Sequence, residues 1–181
     1  MEKLLSLLKS IPEYGTMLNC IANGESAAIT GIGQMNRSHM IAALRADTAA
    51  PIVVLCQDDM TAKRLQEELK AFLGETFPVL PNRELTLYDT AVVSRAWEQK
   101  RLRQLFELMQ GKTSLQIMSW ESMSQRTMPK EVLEKAAFTL ETGKEYVLED
   151  LIRQLTGSGY ARCAMVEGPG QFSVRGGILD I

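Results

Sequence analysis

The sequence predicts an α/β protein in two parts, a parallel-sheet domain over residues 1–129 and a smaller α+β domain over residues 130–181. Two patterns predict it. Through the first part, short apolar runs rich in β-branched residues alternate with stretches of helical periodicity, the order that builds a parallel sheet. From about Pro129 the texture changes to short alternating segments punctuated by glycine turns. An apolar content of 45% in 181 residues is ordinary for a packed core.

The first part opens on a helical stretch, Met1 to Leu8, and a second helix starts at Pro12. Ser26 to Thr30 reads as a short buried strand. A glycine-bearing loop follows, and a helix at Ser38 to Arg45 leads to Pro51–Cys56, whose continuous apolar run suits a strand covered on both faces. Together these segments make a βαβ unit, the beginning of a doubly wound sheet. Asp58 or Asp59 caps the next helix, in which Ala62, Leu65, Leu69 and Phe72 recur at helical spacing until Gly74 stops it. Phe77 to Leu80 forms another strand, ended by Pro81. A helix from Ser94 to Gln110 carries Leu102, Leu105, Phe106 and Met109 on one face, and the strand Ser114 to Trp120 follows Gly111.

In the second part, a helix at Pro129 to Lys135 precedes the alternating strand Ala137 to Thr142, a Gly143-Lys144 turn and a helix at Leu148 to Leu155. Arg162 to Glu167, a tight Gly168-Pro169-Gly170 turn, Phe172 to Arg175 and Gly177 to Ile181 complete a βαβββ pattern built on hairpins. The last apolar strand has no closing turn or polar tail, which reads as an excised fragment.

Twenty basic residues against 22 acidic ones leave no broad basic field, which argues against strong nonspecific DNA binding. Cys20, Cys56 and Cys163 lie far apart without ligand spacing and read as reduced, packing cysteines. No run approaches the roughly 20 apolar residues of a membrane span, and no signal cleavage site appears, so no membrane and a cytoplasmic location are expected. His39 is the only histidine, with no nucleophile turn to form a triad. Lys100, Arg101 and Arg103 read as a solvated helix face. The acidic pairs Asp58-Asp59 and Glu67-Glu68 fall short of a metal ligand set, so neither metal nor cofactor is expected. Trp97 and Trp120 read as packing anchors between helix and sheet.

The segment Ala28-Ile-Thr-Gly-Ile-Gly-Gln-Met35 lies where a phosphate-cradling loop would lie, between a strand and a helix. Its glycines fit, but the chemistry is missing. Such a loop needs a lysine after the last glycine and then a Ser or Thr hydroxyl for magnesium, and those positions hold Gln34 and Met35. An amide brings no positive charge, and a thioether is a poor ligand for a hard cation. Gly31 and Gly33 are therefore either part of a degenerate nucleotide loop or a plain strand-to-helix turn. Neither reading allows ATP hydrolysis.

This loop, followed by Val166-Glu-Gly-Pro-Gly-Gln-Phe-Ser-Val-Arg-Gly-Gly-Ile-Leu-Asp-Ile181, resembles the N-terminal region of the transcription-repair coupling factor family. The final run also resembles the second domain of the excision-repair protein UvrB, and Arg83–Asp89, Trp97–Leu102 and Gly159-Tyr160 match the same family. The resemblance implies a degenerate helicase-like (P-loop-type) first domain, similar to UvrB domain 1a, carrying a UvrA-binding-like domain similar to UvrB domain 2 and truncated at its C-terminus. It implies a non-catalytic module that recruits UvrA in transcription-coupled nucleotide excision repair. RNA polymerase and double-stranded DNA would be met by domains beyond residue 181, where an ATP-dependent translocase is expected. UvrB carries a DNA-clamping hairpin after its Tyr-Asp motif, for which Thr90–Val93 leaves no space. Arg175 aligns with the family arginine that meets UvrA, and its fork suits bidentate pairing with a carboxylate. Phe172 and Gly176 are its candidate supports. Two other readings stay open: a nucleotide-dependent helicase lobe of UvrB type, and an autoinhibitory domain packing on the rest of its own protein.

Overall fold

The computed structural model describes residues 2–82 and 96–181. Along the chain these form α1 (Glu2–Ser6), a 3-10 turn (Leu7–Ser10), α2 (Pro12–Ala22), α3 (Gln34–Asp47), β1 (Ile52–Cys56), α4 (Asp59–Leu73) and α5 (Ala96–Met109). There follow β2 (Leu115–Ser119), α6 (Trp120–Ser124), α7 (Lys130–Ala136), α8 (Leu148–Gly157), β3 (Ala161–Arg162), β4 (Gln171–Arg175) and β5 (Ile178–Asp180). The result is mixed α/β, divided into unit 1 (residues 1–82 and 113–124) and unit 2 (residues 83–112 and 125–181). The expectations for Arg83–Asp89, for Thr90–Val93 and for the helix start at Ser94 lie outside the described residues.

Unit 1 is organised by α4. The Asp58 side chain accepts from the Thr61 backbone N–H at 2.7 Å, and that bond, above all, holds its carboxyl below the usual carboxylate range. Ala62, Leu65 and Leu69 lie on the buried face, and Gly74 ends the helix at φ +76°, where a side chain would be strained. That face packs on Cys56, Leu115 and Ile117 of the parallel β1–β2 pair, with Ala42 of α3 and Phe77 closing the core. Phe77–Leu80, predicted as a strand, contributes only a parallel bridge from Val79 to Ile117. Two bonds hold it, Ile117 N–H to Pro78 O at 3.1 Å and Leu80 N–H to Ile117 O at 2.9 Å.

Four expectations for unit 1 are corrected. Ser26–Thr30 is irregular and exposed rather than a buried strand, since an apolar run becomes a strand only where a neighbour takes its N–H and C=O groups. Among the described residues, the regular sheet of unit 1 is consequently a two-stranded parallel pair, without the doubly wound extension. β1 is covered on one face only: Ile52, Val54 and Cys56 meet the core, while Val53 and Leu55 are 60% and 44% exposed. Trp120, just past the end of β2, is 58% exposed rather than a buried anchor.

In unit 2, Phe172 and Leu155 are buried, and α5 lies against α7. Ala137–Thr142 forms no strand. The predicted strand Arg162–Glu167 shrinks to β3, which runs parallel to β4 instead of closing a hairpin on it, with Ala161 opposite Gln171 and Arg162 opposite Phe172. The reason lies in Gln171. Its side-chain oxygen accepts from the backbone N–H groups of Glu167 (2.8 Å) and Gly168 (3.3 Å), so the loop is folded back and the chain re-enters in its original direction. β4 and β5 then form the antiparallel hairpin that the sequence predicts. Arg101, expected on a solvated face, is 6% exposed, and burial pushes its pKa down, whereas Lys100 is exposed and Arg103 pairs with Glu107 at 3.1 Å. Among the described residues, no helix is long and apolar enough to cross a membrane.

Candidate functional site

Two places carry the residues singled out by the sequence, the loop before α3 and the β4–β5 hairpin. In the loop, Gly31 has φ +77°, and Gly33 stands at the N-cap of α3 with extended backbone. α3 starts at Gln34, four residues before the predicted Ser38, so Gln34 and Met35 occupy its first turn. Met35 is 80% exposed. With its amide oxygen turned toward α4, Gln34 accepts from both terminal nitrogens of Arg64, at 2.9 Å from Nη1. The strand that would present the loop to a phosphate is not formed, and Arg37 lies exposed within the helix.

The electrostatics of this loop are those of an α3 N-terminus without an ammonium group at 34 or a hydroxyl at 35. Titration calorimetry with magnesium-ATP is therefore expected to show no binding at millimolar nucleotide. Saturable, magnesium-dependent heat would place a working nucleotide site in this chain. Other chemistry finds little support in the remaining candidates. His39 stacks on Phe72, ring centroids 5.3 Å apart, and its Nε2 lies 2.9 Å from Leu4 O. Cys56 is buried, and burial, followed by the nearby Asp58 charge, pushes its thiol up, away from a reactive thiolate. Among the described residues, no three His, Cys, Asp or Glu side chains gather into a metal-ligand group.

The hairpin is built differently. Gly176 and Gly177 make a two-residue turn between Arg175 and Ile178, which are paired partners. Gly176 carries φ +60° and Gly177 no positive φ, so the turn asks for glycine at its first central position. Phe172 faces inward at 0% exposure, and its carbonyl accepts from Cys163 N–H at 2.9 Å. Its role is packing beneath the hairpin. Ser173, Arg175, Ile178 and Asp180 share the opposite face by the strand register, with Ser173 buried and bonded to Ala164 O at 2.9 Å.

Toward the tip this face opens to solvent. Arg175 Nη2 donates to Asp180 Oδ2 at 2.5 Å, with 64% and 40% of the two side chains exposed, and Ile178 beside them is 62% exposed. An ion pair this wet contributes only about 0–1 kcal/mol to stability. The arrangement presents a planar, permanently charged donor next to an apolar contact, suited to a partner's carboxylate. The family resemblance singled out Arg175, and the strand register adds that Asp180 and Ile178 lie beside it on the same face. The signal was there: a two-residue Gly-Gly turn fixes the register, and the register sets 175, 178 and 180 on one face.

Comparison with known proteins points to the same segment. Residues 138–181 match a family described as the UvrB interaction domain. The whole chain is similar to proteins named transcription-repair-coupling factor. That of Bacillus subtilis strain 168 is 26% identical over 183 residues, covering 100% of this chain and 16% of the relative. That of Myxococcus xanthus is 30% identical over 176 residues, covering 93% and 15%. That of Staphylococcus aureus strain USA300 is 26% identical over 165 residues, covering 91% and 14%. The chain thus spans about a sixth of the length of these relatives.

Proposed function

We infer that this chain, which is similar over its length to transcription-repair-coupling factors and over residues 138–181 to the UvrB interaction domain, is the N-terminal region of such a factor and acts as a recruitment module that binds UvrA without nucleotide chemistry of its own. The observation that carries the reading is the coincidence of the UvrB interaction match at 138–181 with a hairpin that exposes Arg175 at its tip. A structural arginine would be expected to sit against the core. This one is 64% exposed, in a pair that does little for the fold.

In this reading the second domain, from about residue 130, makes the contact: Arg175 reaches a UvrA carboxylate, Gly176 shapes the turn, and Phe172 supports the strand from beneath. The first domain, over residues 1–129, has a degenerate nucleotide loop in which Gly31 and Gly33 turn the chain while Gln34 and Met35 give a phosphate no charge and magnesium no ligand. Contact with RNA polymerase and ATP-driven movement on double-stranded DNA belong to the remainder of the longer protein. The direct test is capture of purified UvrA by the immobilised 181-residue chain, and by a version extended past Ile181, in buffer without nucleotide. Saturable capture is expected; its absence from both versions overturns the recruiter reading.

A further inference from the structure

Asp180 has no role in the reading above, yet it is the residue that the structure joins to Arg175. The strand register places Arg175 opposite Ile178 and Asp180 opposite Ser173, so the two charged side chains meet on the diagonal of one hairpin face. Their contact is 2.5 Å long and largely in water. A pair so exposed is poorly placed to stabilise the fold. What it does give the Arg175 side chain is one bonded direction, toward Asp180. An arginine has five N–H donors in a rigid plane, and a single bond through Nη2 leaves donors on the other edges of the guanidinium for another acceptor.

We propose that Asp180 is the positioning residue for Arg175. It holds the guanidinium on the hairpin face beside exposed Ile178, so that a carboxylate of the partner protein meets an arginine that is already oriented. The inference rests on the reading that Arg175 contacts UvrA. Ordering the arginine before association removes part of the side-chain freedom otherwise lost on binding, which is worth roughly a few-fold in affinity. Removing Asp180 should cost that much and no more, and only where Arg175 is present. A carboxylate that competed with the partner would behave in the opposite way, since its removal would free the arginine and tighten binding.

The experiment measures the UvrA dissociation constant of the 181-residue chain by calorimetry for wild type, Asp180→Asn, Asp180→Glu, Arg175→Ala and the Arg175→Ala/Asp180→Asn double variant, with melting curves to verify folding. Asp180→Asn is expected to weaken binding about threefold, Asp180→Glu to recover most of the loss, and the double variant to match Arg175→Ala. Matching values in the Arg175→Ala background are the signature of action through the arginine, which a merely structural role would not give. If Arg175→Ala weakens binding but Asp180→Asn equals wild type, binds tighter or adds independently, Asp180 does not position Arg175 and the recruiter reading stands. If Arg175→Ala itself equals wild type, the underlying assignment of Arg175 fails, and with it the role of Asp180.

Discussion

Arg175→Ala is expected to weaken UvrA binding by more than tenfold while leaving the melting temperature of the chain nearly unchanged. The two halves of that expectation come from one geometry. In the free protein Arg175 is 64% exposed and bonded only across the hairpin, so its removal costs the fold little. At an interface, the same arginine would lose water and pair with a carboxylate. Truncating such a group leaves the partner's charge buried and unpaired, at a cost of about 2 kcal/mol or more, which is over tenfold in affinity. Arg175→Lys should fall between wild type and alanine, because a lysine keeps the charge but loses the planar fork. Biolayer interferometry together with thermal melts checks both halves. A dissociation constant that stays at the wild-type value in Arg175→Ala would remove the residue from the interface, and a large drop in melting temperature would mean that the arginine serves the fold.

Phe172→Ala is expected to act through stability instead. Phe172 is fully buried in β4, between the parallel β3 and the antiparallel β5, and is the largest of the fully buried side chains in the molecule's described residues. Emptying such a position costs about 3–5 kcal/mol through lost transfer energy and the remaining cavity. Against a total stability of roughly 5–15 kcal/mol for a whole domain, that is enough to leave a unit held by three short strands marginal. Chemical denaturation followed by circular dichroism should show an early transition in the variant, and any loss of UvrA binding should track the unfolded fraction. Phe172→Leu should retain much of the stability by keeping most of the volume. A loss below about 1 kcal/mol for the alanine variant would show that the site collapses without cost and that Phe172 is not what supports the hairpin.

The parts of the fold that were legible in the sequence are those whose signals are local. α4 announced itself completely: an aspartate that caps, apolar residues three and four apart, and a glycine that accepts positive φ. β4 and β5 were equally readable, because the Gly176-Gly177 turn joins two alternating segments. Ser26–Thr30 and Ala137–Thr142 have strand-like composition, but a strand is made by its neighbour, and composition does not say whether one is present. The direction of β3 was hidden for a related reason. Gly168-Pro169-Gly170 looks like a hairpin turn, and only the reach of the Gln171 side chain to two backbone amides turns the chain back into a parallel entry. At the candidate site, Arg175 was put forward on family resemblance, while the Asp180 carboxylate beside it became visible only with the register. Arg101 misled by its type, since a cation on an amphipathic helix is usually solvated and this one is buried.

The contact between Gln34 and Arg64 bears on what evolution can do with this loop. A lysine at position 34 is the change that would supply a phosphate clamp, yet it would remove the amide whose oxygen, turned toward α4, can accept from Arg64. It would also place a second cation beside Arg64, at the helix end that is already positive. Without a hydroxyl at 35 to hold magnesium, that cost would bring no catalytic return. On the reading that this loop is degenerate, a lysine at 34 alone would add charge without a magnesium ligand beside it.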